Sequence, residues 1–331
     1  MVPSLNGSTD FPSSNNGTQD MIPSSGGVKL SPGFYVPTVA FFEEENEEVD
    51  LDATRKHAIR LAEAGVSGLV THGSNGEAVH LSRDERRLIN KATRESLDSI
   101  GRSDMPLIVG CGAQSTRECI QLCDDASKSG GQFALVLPPS YYGGLLNTDL
   151  IMKFFRDVAD KSPIPIIIYN YPGACSGLDL NSDVIVALSQ HQNIVGVKLT
   201  CGNTGKLARV AAAAKAPFLT MGGSADFVLQ TMSVNGHGTI GGLGNIAPKA
   251  CVKLLNSCGA GKSVEAQRIQ QVVARGDWVA IKGGFVAVKV ALQHYYNYGG
   301  SPRKPCALPA KEDITKMCSD LEELMEFERS L

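Results

Sequence analysis

A chain in which eight short apolar runs alternate with amphipathic stretches has few folds open to it, and this sequence shows that alternation from Phe34 onward. The runs are residues 34–40, 68–72, 107–111, 133–137, 165–169, 194–198, 218–221 and 238–241. Ile164-Pro165-Ile166-Ile167-Ile168-Tyr169 is apolar almost throughout, as a strand buried on both faces of a parallel sheet is. Between the runs, Leu51, Ala58, Leu61 and Ala62 recur at helical spacing, and so do Cys251, Leu254, Leu255 and Cys258. Ser82-Arg83-Asp84-Glu85 and Ser115-Thr116-Arg117-Glu118 read as capping boxes at helix starts. Eight such βα units fit an α/β (β/α)₈ TIM barrel better than a doubly wound sheet. After Gly259 no strand-like run follows. Ile281, Phe285, Val288 and Leu292 form an apolar stripe there, so extra C-terminal helices packed on the barrel's side are expected. The expected division is a tail over 1–30, the barrel over 31–258 and a helical extension over 259–331.

The composition allows a sizeable core, with 43% of residues hydrophobic. The net charge of −3 comes without a long Lys/Arg run, which argues against nucleic acid and anionic membranes as partners. The acidic run Glu43-Glu44-Glu45 with Glu47-Glu48 reads as a solvated loop. The nine cysteines are an odd number with no CxxC pair; Cys119 and Cys123 share a helix face but are too few for zinc. They read as reduced, buried thiols of an intracellular protein.

The first 30 residues are rich in Ser, Asn, Gly and Pro. They contain no Arg, and Asp10 and Asp20 argue against a mitochondrial presequence. The sequons at Asn6 and Asn16 carry little weight without a signal peptide. This segment reads as a disordered tail, and no apolar run has membrane-spanning length. A soluble, cytoplasmic protein is expected.

Two familiar motifs fail on context. Gly236-His237-Gly238-Thr239-Ile240-Gly241 has the dinucleotide spacing but overlaps the eighth strand instead of opening a helix. Gly259-Ala260-Gly261-Lys262-Ser263 ends like a phosphate loop, yet Asn256 stands where its first Gly belongs.

Lys198 is more informative. It ends the apolar run Ile194-Val195-Gly196-Val197, on the barrel face where active sites of this fold lie. Desolvation there favours the free amine, a nucleophile toward carbonyl groups; a snorkelling lysine at a strand end is the plainer alternative. Tyr169 ends the preceding apolar run, so its phenol emerges beside Lys198 as a proton relay or as a cap on the core. Gly73-Ser74-Asn75-Gly76-Glu77 follows the second strand and can turn backbone N–H groups and the Ser74 hydroxyl into the mouth, a cradle for a small carboxylate. An ordinary βα turn accounts for it equally well.

Together, Gly73-Ser74-Asn75-Gly76-Glu77, Tyr169-Asn170-Tyr171-Pro172, Gly196-Val197-Lys198, Gly222-Gly223-Ser224 and residues 238–245 resemble the dihydrodipicolinate synthase/N-acetylneuraminate lyase family of pyruvate-dependent class I aldolases. The similarity runs in order from Phe34 to the C-terminal helices. It implies that Lys198 carries a pyruvate Schiff base and that Tyr169 relays protons. Ser74 and Asn75 would hold the pyruvate carboxylate, with Ser74 also in the proton relay, Gly73 and Gly223 beside it and the Ile240 carbonyl facing it. Of Tyr141-Tyr142, Tyr142 matches the tyrosine that reaches a neighbouring subunit's site. A homotetramer, a dimer of dimers, is implied, with a 2-oxo acid substrate and no metal or organic cofactor.

The departures bear on the second substrate. Synthases of this family carry an arginine shortly after the Tyr-Asn-x-Pro turn, where this chain reads Gly173-Ala174-Cys175-Ser176-Gly177. Without a guanidinium, bidentate carboxylate recognition is lost. Ser74-Asn75, Gly177-Leu178-Asp179-Leu180 and Leu188-Ser189-Gln190-His191 look closer to 4-hydroxy-2-oxoglutarate aldolases, and Tyr-Asn-Tyr-Pro-Gly to aldolases of 2-keto-3-deoxy sugar acids. Cleavage of a 4-hydroxy-2-oxo acid to pyruvate and an aldehyde is the leading expectation. A dihydrodipicolinate synthase using aspartate semialdehyde and a catalytically silent 2-oxo acid binder are the alternatives.

Overall fold

The computed structural model of the chain describes residues 27–331 and the backbone of residues 22–23. Its centre is a closed barrel of eight parallel strands: β1 (Gly33–Pro37), β2 (Gly68–Thr71), β3 (Leu107–Gly110), β4 (Phe133–Val136), β5 (Ile166–Asn170), β6 (Ile194–Leu199), β7 (Leu219–Gly222) and β8 (Gly238–Ile240). All eight runs read from the sequence are strands. The first is shorter than its apolar run, because Thr38 and the residues after it leave the sheet. Every strand residue is buried, since side chains facing inward fill the barrel and those facing outward lie under helices. Tyr35, Val70, Ile108, Phe133, Ile167 and Met221 belong to the inner layer. Phe34, Val36, Leu69, Val109, Ile168 and Val197 belong to the outer one.

The helices are α1 (Leu51–Glu63), α2 (Arg83–Ser99), α3 (Thr116–Lys128), α4 (Thr148–Lys161), α5 (Ser182–Leu188), α6 (Thr204–Ala213), α7 (Val228–Ser233) and α8 (Pro248–Gly259), followed by α9 (Ser263–Tyr296) and α10 (Lys311–Arg329). Asp50, Ser82, Ser115, Asn147, Asn181 and Asn203 each cap a helix start with a side-chain oxygen. The reciprocal box forms at Ser82 and Glu85, while at Ser115 the serine accepts from the Glu118 N–H at 3.2 Å.

Two expectations need correction. Most of the expected tail lies outside the described residues, but Ile22–Pro23 pairs antiparallel with Lys29–Leu30, and Leu30 is fully buried in the inner barrel cluster. The extension also does more than cover the barrel's side, because α9 lines the mouth. It is broken at Gly284, whose φ of 60° and ψ of −152° are not helical. The stripe of Ile281, Phe285, Val288 and Leu292 is therefore split: Val288 and Leu292 are buried, while Ile281, ahead of the break, is 45% exposed at the cavity. The nine cysteines are free thiols, seven of them buried. No helix among the described residues is long and apolar enough to cross a membrane.

Candidate active site

A cavity of about 490 Å³ opens at the C-terminal ends of the strands. Lys198 stands at its floor, directly opposite Tyr169 in the β5–β6 register. That placement depends on an irregularity. Ile166 pairs with Ile194 but Ile167 pairs with Gly196, so β6 carries one extra residue at Val195. Such a bulge shifts the facing of everything after it, and here it puts Lys198 beside Tyr169 on the inner side.

Lys198 is 3% exposed, with its Nζ 4.2 Å from the centre of the Tyr169 ring. No carboxylate is paired with it among the described residues. Burial alone, by disfavouring the ammonium ion, lowers its pKa to about 7. A substantial fraction is therefore free amine near neutrality. Tyr169 is held as the neutral phenol: burial raises its pKa to about 12, and its hydrogen bond with Ser74 only partly opposes this. The Tyr169 hydroxyl lies 3.2 Å from Ser74 Oγ, and its ring stacks on Tyr171 at 5.8 Å between centroids. Lysine, phenol and serine hydroxyl thus form one continuous group.

Ser74 and Asn75 line the cavity as expected. In their turn the Gly76 and Glu77 N–H groups are used internally, donating to the carbonyls of Gly73 and Ser74. This leaves the Ser74 and Asn75 N–H groups, with the Ser74 hydroxyl, as donors for a carboxylate. The turn is launched by His72 and closed by Glu77, both with positive φ. A buried ion pair fixes it from behind. Lys289 Nζ on α9 lies 2.7 Å from Glu77 Oε1 and donates to the Ser301 carbonyl at 2.8 Å. The Arg303 N–H donates to Glu77 Oε2 at 3.0 Å, and Lys289 also stands over the Phe42 ring.

Gly223 lines the cavity for a steric reason. Its N–H is spent on the Leu199 carbonyl, and a Cβ there would lie 2.1 Å from Thr200 Oγ1. Three other expected site residues are not among those lining the cavity. Gly73 opens the turn, its carbonyl accepting from the Gly76 N–H. Ile240 is fully buried in the inner barrel layer. Tyr142 faces outward, 64% exposed, with its ring edge-on to Tyr141 and 5.0 Å from it.

Sequence reasoning missed the opposite wall. Thr200 and Cys201 after β6, Ser224, Asp226 and Phe227 after β7, and Asp277, Trp278 and Ile281 on α9 all line it. Asp277 Oδ2 accepts from Ser224 Oγ at 2.6 Å, from the Ala225 N–H at 2.8 Å and from the Asp226 N–H at 3.0 Å. Burial raises the Asp277 pKa to about 6 despite these donors. The Gly283-Gly284 pair and a lone Asp277 within a largely apolar stretch were the available signals. The segment after Pro172, where the synthases' arginine is missing, folds into a short turn whose Cys175 is buried under the Pro138 carbonyl.

Comparisons with known proteins place this geometry. Residues 31–324 match the model of the dihydrodipicolinate synthetase family. A relative from Emericella nidulans, named "Probable 4-hydroxy-2-oxoglutarate aldolase, mitochondrial", is 58% identical over 91% of this chain and 97% of its own. An L-threo-3-deoxy-hexylosonate aldolase from Aspergillus niger is 44% identical over 91% of this chain and 97% of its own. The crystal structure of a dihydrodipicolinate synthase family protein from Coccidioides immitis superposes with a TM-score of 0.81 at 32% identity, covering 91% of this chain and 98% of that one.

Proposed function

The chain belongs to the dihydrodipicolinate synthetase family, and from that premise we propose that it is a class I aldolase that cleaves a 4-hydroxy-2-oxo acid to pyruvate and an aldehyde through an imine on Lys198. The observation that carries this reading is the buried Lys198 amine facing the Tyr169 phenol, with Ser74 Oγ behind it. The aldolase relatives at 58% and 44% identity support the reaction class.

The residues suit each step. The 2-oxo acid's carboxylate rests against the Ser74 and Asn75 N–H groups, which places its C2 carbonyl over Lys198. The amine adds to C2, and loss of water leaves the protonated imine, an electron sink. The C4 hydroxyl gives up its proton through Tyr169 and Ser74, and the C3–C4 bond breaks. Its electron pair enters the iminium to give the enamine, and the aldehyde departs. Protonation at C3 and addition of water then release pyruvate and restore the amine.

Reduction with borohydride in the presence of pyruvate, followed by peptide mass analysis, tests the reading. An adduct on Lys198 is expected, and its absence, or an adduct on another lysine, overturns it. Turnover assays with 4-hydroxy-2-oxoglutarate, a 2-keto-3-deoxy sugar acid and aspartate semialdehyde then assign the partner.

A homotetramer in which Tyr142 enters a neighbouring site is part of the proposal, supported by the outward-facing Tyr141 and Tyr142 rings, 78% and 64% exposed. Light scattering gives the mass, and a Tyr142→Ala chain that keeps full activity as a tetramer refutes the shared site. The cytoplasmic expectation draws no support from the Emericella relative, whose name is mitochondrial. Imaging the tagged full chain against a mitochondrial marker assigns the compartment.

A further inference from the structure

The Ser74–Asn75 turn has a second support besides Lys289. Asn75 lies against the short turn Gly242–Asn245 that follows β8. A Cβ on Gly242 would fall 2.5 Å from Asn75 Nδ2, so the amide rests on bare backbone there. Both residues line the cavity, as does Pro37 at the end of β1.

Gly242 is held by Asn245, which is completely buried. Asn245 Nδ2 donates to the Gly242 carbonyl at 2.7 Å and to the Pro37 carbonyl at 2.9 Å, tying the ends of β8 and β1 together. With both amide hydrogens spent on carbonyls, Asn245 Oδ1 can only accept, and it faces His57 Nε2 at 2.9 Å. His57 is 1% exposed, and burial, with the Arg60 charge adding to it, lowers its pKa to about 3. The neutral ring is thus protonated at Nε2 and bare at Nδ1, where the Tyr298 hydroxyl donates from 2.9 Å. The Tyr298 oxygen accepts from Arg60 Nε at 2.7 Å, and Arg60 also donates to the Asn245 carbonyl. Each proton in this chain has one place to go.

The chain joins distant parts of the molecule. His57 lies on α1 and Tyr298 beyond α9, 241 residues later. A second tyrosine of the extension grips the same place, with the Tyr296 hydroxyl donating to the Ile246 carbonyl at 2.6 Å.

We propose that His57 is a positioning residue for the 2-oxo acid: through Asn245 it fixes Gly242 against the Asn75 side chain, so that Tyr298 of the C-terminal extension sets how tightly the substrate's carboxylate is held. This rests on the reading above in which the Ser74–Asn75 turn receives that carboxylate, and it adds residues that touch no substrate. The expected effect is selective. Lys198 and Tyr169 stand outside the chain of bonds, so affinity for the 2-oxo acid changes while the rate of imine formation at saturation does not.

The test is borohydride trapping of the Lys198 imine at graded pyruvate concentrations, which separates the half-saturating concentration from the limiting rate. His57→Asn keeps an acceptor for Tyr298 but is too short to reach Asn245, whereas His57→Gln restores a donor at the reach of Nε2. His57→Asn is expected to raise the half-saturating concentration about tenfold, the scale of one buried hydrogen bond, with the limiting rate within about twofold of native. His57→Gln should regain most of that loss. Gly242→Ala, which drives a methyl group into the Asn75 amide, should raise half-saturation at least as much. Adding His57→Asn to it should raise it no further, because both changes act on one contact. An unmoved half-saturation in His57→Asn, a fall in limiting rate alone, or effects of the two substitutions that multiply overturns the proposal. Thermal melting checks the fold. If His57→Asn does not fold, Tyr298→Phe, which removes only the hydroxyl, takes its place with an expected rise of about threefold. A native Lys198 adduct whose half-saturation these variants leave unmoved sinks this inference alone, whereas no native adduct sinks the imine reading as well.

Discussion

Tyr169 and Lys198 are register partners on adjacent strands, with the ammonium nitrogen 4.2 Å from the phenol ring's centre and the phenol oxygen 3.2 Å from Ser74. The ring closes over the lysine and excludes water, while its hydroxyl reaches away toward the carboxylate turn. Replacing Tyr169 by Phe keeps the lid and removes the relay. Its kcat is expected to fall about 10²–10⁴-fold, the usual worth of a positioned acid–base group, with the pyruvate adduct on Lys198 still forming at a reduced rate. Steady-state kinetics beside timed borohydride trapping measure both. Unchanged kcat refutes the relay.

The buried amine links activity and stability to pH. Its folded pKa of about 7 lies below the ordinary lysine value of 10.5. Between those values the unfolded chain holds a proton that the folded chain does not, so stability from this group rises with pH across that window. Below about pH 7 both states are protonated and the penalty is constant. Lys198→Met should therefore stabilise the fold, on the order of 3 kcal/mol at neutral pH, with the gain fading toward the unfolded pKa. Urea unfolding of both proteins across the pH range checks this. The initial rate of imine trapping should rise with pH through about 7.

Glu77 and Lys289 hold the Ser74–Asn75 turn through a fully buried ion pair 2.7 Å long. Removing one partner strands the other charge, so Lys289→Met is expected to cost about 3–5 kcal/mol. The double variant Glu77→Gln/Lys289→Met should recover most of that loss in stability. KM for the 2-oxo acid should rise in both, because the Ser74–Asn75 turn loses its support. Chemical denaturation and kinetics of the three proteins decide. A double variant no more stable than the single one contradicts this account.

Asp277 takes three donors from the segment after β7. Asp277→Ala leaves two backbone N–H groups and the Ser224 hydroxyl unpaired, at a cost of about 2–4 kcal/mol. Asp277→Asn keeps an acceptor and should lose less than half as much. Thermal unfolding distinguishes the two, and equal losses would show that charge rather than acceptor count holds the segment.

The barrel was legible because strands buried on both faces leave uninterrupted apolar runs, and Lys198 and Tyr169 were legible because each ends such a run with a polar group. The bulge at Val195 that aims Lys198 left no trace, since Ile194-Val195-Gly196-Val197 reads equally well as a plain strand. The wall opposite Lys198 was hidden for a different reason. Ser224 and Asp277 are 53 residues apart in the chain, and helical spacing shows which residues share a stripe but not what that stripe faces. The stripe is interrupted at Gly284, where the chain leaves helical geometry; Ile281 before it is 45% exposed and Val288 after it is buried, although both line the cavity.

That interruption divides labour within one helix. The half after Gly284 is tethered by Lys289 to Glu77, at the end of the Ser74–Asn75 turn. The half before it presents Asp277, Trp278 and Ile281 to the opposite side of the cavity. Under the proposed reaction, a change of aldehyde therefore draws on that helical turn together with the segments after β6 and β7, while Lys198, Tyr169 and the Ser74–Asn75 turn stay as they are.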